Sequence, residues 1–284
     1  MRFSVFTAST PDWTPDVVAR KLAEQGWDGV EWRVVDQQES ETPGFWSGNR
    51  ATWPLTGLEE AVPEIRRITQ EAGLGFSGLG GYAGAWLHDD VDRVLAATAA
   101  LGAGQVRVTM PRTDTGVPYP EVFARTRTDL EWVVSRAGEH GVKALVELHH
   151  ETITPSASAA RRLLEGLDPR HVGVIHDLGN LVIEGRENHR ASFELLGEYL
   201  AHVHVKNARW VADGERSADG SLTWRHEWAP LRDGQADVGR YLTDLRDHGY
   251  DGWVTIEDFS TDLPLEERLR DDLAYLRALV GAHV

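Results

Sequence analysis

Four acid- or imidazole-bearing residues close four successive apolar runs: Glu147 in VELHH, Asp177 in VIHD, His204 in HVHVK and Glu257 in VTIED. Three carboxylates and one imidazole form a hard-to-borderline ligand set. It suits Mn²⁺ first, then Mg²⁺ or Co²⁺, and admits Zn²⁺. Brought together without a cation, the carboxylates would repel and raise one another's pKa. A divalent ion resolves that conflict. Any one of these acids alone is more often a surface residue or a helix cap. Four at consecutive run ends are harder to explain that way.

The chain must bring those ends together. Short apolar runs alternate with amphipathic helical stretches along all 284 residues. Strands are expected over 2–6, 29–33, 76–79, 105–109, 143–148, 172–177, 201–206 and 253–257. Thr14 then Pro15 reads as a helix start, and Gly26 and Gly141 as helix stops. Val238, Tyr241, Leu242 and Leu245 follow i, i+3, i+4, i+7 spacing. Eight strand–helix units predict a single-domain (β/α)₈ TIM barrel over 1–284. A doubly wound sheet would carry a glycine-rich turn after its first strand, and TASTPDWT has no glycine. Two connections are long, 34–57 and 207–236, and both leave strand C-termini, where barrel enzymes build their sites. Both are rich in tryptophan.

Composition narrows the partner. The formal net charge is −16, from 29 Lys plus Arg against 45 Asp plus Glu. That argues against nucleic acid, whose phosphates need a basic footprint. With no cysteine, disulfides, thiol catalysis and thiolate metal sites are excluded. The N-terminus lacks a signal peptide's charged start and apolar block, and no run approaches membrane-helix length. A cytoplasmic location and no membrane partner are expected. Tryptophan, at 11 copies, outnumbers Phe (7) and Tyr (6). The rings fill a core or stack on sugars. Within strands, alternation puts His202 and His204 on one side, turns His176 away from Asp177, and allows only one of His149 and His150 into the mouth. Arg107 shares a face with Thr109, either lining the lumen or forming an ion pair.

The segments VELHHETITPS, IHDLGNLVIEG, AHVHVKNARW and GYDGWVTIEDF resemble the successive motifs of the xylose isomerase-like TIM-barrel superfamily. The resemblance spans essentially the whole chain and is strongest from 143 to 259. That group of sugar phosphate isomerases and epimerases includes ketose 3-epimerases, inosose dehydratases and hydroxypyruvate isomerase-like enzymes. It implies a metal on Glu147, Asp177, His204 and Glu257, with Glu147 and Glu257 also moving protons. Lys206 matches a substrate-facing position. Glu31, Arg33 and His150 are further candidates for substrate contacts. Two positions depart from the pattern. Asn180 stands where many relatives have His, and Asn207 where many have Asp. Asn180 can bond a sugar hydroxyl but cannot shuttle a proton.

The expected function is a metal-dependent ketose or polyol isomerase or epimerase. The alternative is a lyase that eliminates water or an aglycone from an inosose or keto-glycoside. An abasic-site endonuclease would need further histidines that FSGLGG and RVTMP do not supply. A non-catalytic sugar-binding barrel has no use for the full ligand set. No phosphate loop points to a phosphorylated substrate. Barrels of this group often form homodimers, but no interface is legible in the sequence.

Overall fold

The computed structural model describes residues 1–281. Seven barrel strands come first: β1 (Arg2–Phe6), β2 (Gly29–Val34), β3 (Gly75–Gly81), β4 (Gln105–Arg107), β5 (Lys143–Glu147), β6 (Val172–Asp177) and β7 (Leu200–Val205). The chain then forms an antiparallel hairpin, β8 (Asn207–Arg216) and β9 (Leu222–Ala229), before the last barrel strand, β10 (Trp253–Ile256). The barrel closes in the order β1-β10-β7-β6-β5-β4-β3-β2, with parallel neighbours throughout. Around it lie α1 (Pro15–Gln25), α2 (Leu58–Glu71), α3 (His88–Leu101), α4 (Tyr119–His140), α5 (Ala157–Leu164), α6 (Leu178–Ile183), α7 (His189–Leu196), α8 (Val238–Asp247) and α9 (Leu265–Gly281). This is the expected single-domain TIM barrel. Among the described residues, no helix is long and apolar enough to cross a membrane.

Strand alternation sorts the side chains. Val5, Val30, Val106, Val174, Val203 and Val254 face outward into one apolar shell with helix residues such as Leu22, Ile65, Leu130 and Leu245. Burying this shell drives closure. The lumen is different. Barrel interiors are ordinarily layers of branched apolar residues, yet here Ser4, Glu31, Gln105, His202 and Thr255 point inward and are tied together. Ser4 and Thr255 hydroxyls share a 2.7 Å bond. Gln105 Nε2 donates to the Ser77 carbonyl at 2.7 Å and to His202 Nδ1 at 3.1 Å. Such a network is tolerated in a low-dielectric core because its members are paired.

Two local expectations change. The 207–236 connection is largely the β8–β9 hairpin rather than a loop. Asn207 clasps its base: Nδ2 donates to the Leu231 and Ala236 carbonyls at 2.9 and 3.0 Å, and Oδ1 accepts from the Ala208 and Ala236 amides. The unit after β6 carries two helices, because Asp177 itself starts a short one. The 34–57 connection does remain irregular, pinned where the Val35 amide donates to the Trp53 carbonyl and the Trp53 amide to the Arg33 carbonyl, and where Asn49 donates to the Ala8 carbonyl. Gly26 and Gly141 end their helices in left-handed conformation, φ 87° and 68°. Thr14 occupies the expected N-cap position, but its hydroxyl makes no capping bond.

Replacing the Asn207 clasp should therefore loosen the hairpin before the barrel. Asn207→Ala is expected to cost about 1–3 kcal/mol through the amides it leaves unpaired. Limited proteolysis should cut first within 207–236, and unchanged cleavage there would contradict the assignment.

Candidate active site

The four run ends meet at one mouth of the barrel. Glu147 and Asp177 are the last residues of β5 and β6, His204 is within β7, and Glu257 follows β10. Cα register puts Thr255, His204 and Asp177 side by side. One donor atom from each of Glu147, Asp177, His204 and Glu257 lies within 4.8 Å of the others, and all four residues are buried. His204 Nδ1 lies 3.6 Å from Glu147 Oε1, 3.8 Å from Asp177 Oδ2 and 3.8 Å from Glu257 Oε2.

Three of the four donors are held from behind. Asp177 is a helix cap as well: its Oδ1 accepts from the Asn180 amide at 2.8 Å, opening α6 and leaving Oδ2 for the cage. Glu147 takes Arg107 Nη1 on Oε2 at 2.7 Å and Asn180 Nδ2 on Oε1 at 3.3 Å. Arg107 is itself fixed by the Gly81 carbonyl and lies 4.2 Å over the Tyr82 ring. His204 Nε2 faces Glu31 Oε2 at 3.1 Å, and His202 Nε2 faces the same oxygen at 2.8 Å. Donation from Nε2 leaves the Nδ1 lone pair of His204 aimed at the carboxylates. A carboxylate behind a ligating imidazole is the usual support in metal sites.

The electrostatics show a shortage of positive charge. Burial raises Asp177 to about 7, and Glu257 and Glu147 push the same way against Lys206. Burial would also raise Glu147, but Arg107 holds it well below the usual carboxylate range. Burial disfavours charge on His204, yet Glu31 and Glu147 lift it well above an ordinary histidine. Lys206 Nζ reaches into the same group, donating to Asp177 Oδ2 at 2.7 Å and to Glu257. Room for it depends on Gly179, where an added Cβ would sit 2.3 Å from Lys206 Cγ.

These residues fit a divalent cation. His204 Nδ1 is buried with no hydrogen-bond partner among the described residues, and three carboxylate oxygens face it. Hard oxygen donors plus one imidazole match the ions expected from the sequence. Glu31, His202 and His204 form a second close group, but both histidines already use their Nε2 on Glu31, so it reads as the support of the first.

The match to known families agrees with this geometry. Residues 19–279 match the family model described as xylose isomerase-like TIM barrel. The chain belongs to the xylose isomerase-like TIM barrel family. An inosose dehydratase of Lacticaseibacillus casei is 28% identical over 140 residues, 48% of this chain and 46% of that protein. The chain thus spans about half the length of the curated relatives it matches. Among solved structures, a 3-keto-D-glucoside 4-epimerase from E. coli superposes with a TM-score of 0.72 at 19% identity, over 98% of this chain and 99% of that one. A xylose isomerase-like TIM barrel protein from Mycobacterium smegmatis, in complex with magnesium, gives 0.72 at 18% identity over 100% and 98%.

As a family member, the chain places its remaining candidates in different roles. A cavity of about 460 Å³ opens above the cage and is lined in part by Glu147, Glu257, Lys206, Asn180 and His150. Asn180 accepts from His150 Nδ1 at 3.1 Å, linking that ring to Glu147. Glu31 does not line this cavity. It is buried beneath His204, because β2 alternation points it into the lumen one layer down. Arg33 does not line it either: Nη1 donates to Thr52 and Gln37, bracing the 34–57 connection. His149 and His150 both reach the cavity, against the expectation of one, because β5 ends at Glu147 and strand alternation no longer applies. His176 does face the helices, where its Nδ1 meets the Tyr241 hydroxyl at 2.9 Å. Trp228, one of the tryptophans of the long 207–236 connection, lines the cavity from the hairpin, and beside it stands His226, which sequence reasoning missed. Paired strands of alternating Trp and charge in 208–228 are the signal that was available for them.

Glu31→Gln should test the support role. Metal affinity, read by calorimetric titration of the chelator-stripped protein with Mn²⁺, is expected to fall about 10–100-fold with the circular dichroism spectrum unchanged. An unaltered affinity would contradict the role.

Proposed function

We propose that this chain is an enzyme, a divalent-metal-dependent isomerase or epimerase of a ketose or related polyol, with Glu147 and Glu257 carrying the proton. The observation behind this reading is the convergence of four buried donors on one point at the floor of a cavity. A divalent ion held by Glu147, Asp177, His204 and Glu257, Mn²⁺ in our reading, would polarise neighbouring substrate oxygens and acidify the C–H between them.

The chain's own residues supply the rest. In the closed strand order β5-β6-β7-β10, Glu147 and Glu257 stand at the two ends of the arc, with Asp177 and His204 between them. A substrate carbon above the arc is thus flanked by two carboxylates. Arg107 keeps Glu147 ionised and Asn180 fixes its orientation, so Glu147 is ready to accept a proton. Loss of that proton leaves an enediolate. Lys206 supplies positive charge beside the developing oxyanion. A Glu257 that enters the turnover protonated delivers its proton to the opposite face of the same carbon, which gives the epimer and leaves the abstracted proton on Glu147 to exchange with solvent; return of the Glu147 proton to the neighbouring carbon gives the isomer.

Asn180 favours a second reading, a lyase. Its side chain cannot relay a proton, which removes one route for reprotonating carbon. The same enediolate then expels a β-oxygen: the C–O bond breaks, its electrons leave with the hydroxyl or aglycone, and Lys206 supplies the proton to that oxygen. The inosose dehydratase relatives support this alternative.

Proton NMR in D₂O with Mn²⁺-loaded protein separates the two across a panel of ketoses, inososes and keto-glycosides. Deuterium entering one carbon with the formula retained supports isomerase or epimerase chemistry, and loss of water or an aglycone supports the lyase. Glu147→Gln and Glu257→Gln should each slow turnover about 10²–10⁴-fold in samples whose metal content is checked alongside. Near-normal turnover in either variant would sink its proton-carrying role.

A further inference from the structure

The cavity has two chemically distinct halves. Its floor is the charged cage with Lys206, Asn180 and Arg107. Its outer half is walled by Trp46, Met110, His149, His150, His226 and Trp228. A bare sugar presents mostly hydroxyls, which the floor can satisfy. The outer walls offer flat π surfaces beside the Thr109 and Thr152 hydroxyls and the Arg112 guanidinium, which is already bonded to Asp114 and Glu151.

The hairpin supplies His226 and Trp228 to this wall by strand alternation. Ala208 pairs with Trp228, Trp210 with His226 and Ala212 with Trp224, so the three aromatic residues of β9 share a face with Trp210 of β8. Arg209 and Glu227, paired with each other, take the opposite face. His226 is the hub of the aromatic face. Its ring centroid lies 5.8 Å from Trp228, 5.8 Å from Trp210 and 5.7 Å from His150. His150 stacks on His149 at 4.4 Å. Trp46, from the 34–57 connection, and Trp228 both abut Phe259, at 4.7 and 5.6 Å, so the connection and the hairpin meet at one corner of the cavity. The wall begins close to the chemistry, since Lys206 Nζ lies 5.4 Å from the Trp228 centroid. Trp46 nonetheless remains 52% exposed. Large exposed aromatic surface continuous with a reactive floor marks a binding surface.

We propose that this outer half is a second subsite, for a planar aromatic group joined to the reacting ring through a glycosidic bond. The substrate is then a keto-sugar carrying an aryl aglycone. This deepens the keto-sugar reading above and rests on it for the identity of the inner ring. The aglycone lies against Trp228 and His226, with Trp46 beside them, while the sugar oxygens reach the cage.

The test compares phenyl with methyl β-D-glucopyranoside, neither of which carries the keto group, by calorimetric binding to the Mn²⁺-loaded full chain. The phenyl compound is expected to bind about tenfold tighter, the size of one well-formed ring contact. Trp228→Ala should bring the phenyl-to-methyl ratio close to one, and Trp228→Phe should restore part of it. Should Trp228→Ala fail to fold, Trp46→Ala is expected to reduce the same ratio. Equal affinities in the unaltered chain, or a ratio indifferent to both tryptophans, overturns the subsite. Turnover of the corresponding 3-keto-glucosides separates the two levels. Turnover without aryl preference leaves the function standing and removes the subsite. Aryl preference in binding without turnover of any keto-sugar keeps the subsite and removes the proton-transfer reading.

Discussion

Charge balance in the barrel mouth governs this structure. Four carboxylates, those of Glu31, Glu147, Asp177 and Glu257, are buried in one group, and among the described residues two permanently cationic side chains reach it, Arg107 on Glu147 and Lys206 on Asp177 and Glu257, while Glu31 faces only His202 and His204. Burying carboxylates without compensation is costly, and the imbalance is two charges. The protein answers locally by raising Asp177 and His204 toward protonation and by folding Lys206 into the group. One divalent cation would answer the same demand in a single step and release Lys206 toward the cavity. The ligand set, the lysine and the reactivity of the glutamates thus all follow from one electrostatic requirement.

The barrel makes that requirement sustainable. Parallel strands deliver their C-terminal ends to one plane, and the outward valines supply the apolar burial that holds them there. The polar lumen beneath the cage fixes the imidazoles: Gln105 orients His202, and Glu31 orients both His202 and His204. Above the cage, regularity gives way to the hairpin and the braced 34–57 connection. Those two elements bring aromatic walls over the floor and separate the site from bulk water, where its electrostatics would be weakened.

The order of strands and helices was readable because each strand is a short apolar run closed by turn residues, and because residues such as Val238, Tyr241, Leu242 and Leu245 repeat with helical period. The cage residues were readable because alternation and strand ends determine where a barrel side chain points. The same logic failed just beyond the strands. His149 and His150 were judged by alternation although β5 had already ended. Glu31 and Arg33 share one face of β2, but depth along the barrel axis, which spacing does not encode, sends one beneath His204 and the other into a loop brace. The hairpin is hidden in the sequence because its central residues, Asp213 to Ser221, are polar and turn-rich, which masks the paired Trp-bearing strands on either side. Asn207 shows the converse, since its departure from the family motif is explained by the clasp it makes at the hairpin base.

The most direct test is crystallographic. Crystals of the protein equilibrated with Mn²⁺ and measured at the manganese absorption edge should show one anomalous peak bonded to Glu147, Asp177, His204 Nδ1 and Glu257, with the Lys206 ammonium withdrawn from Asp177 and Glu257. Absence of a peak there, with Lys206 still bridging the two carboxylates at saturating Mn²⁺, would contradict the account.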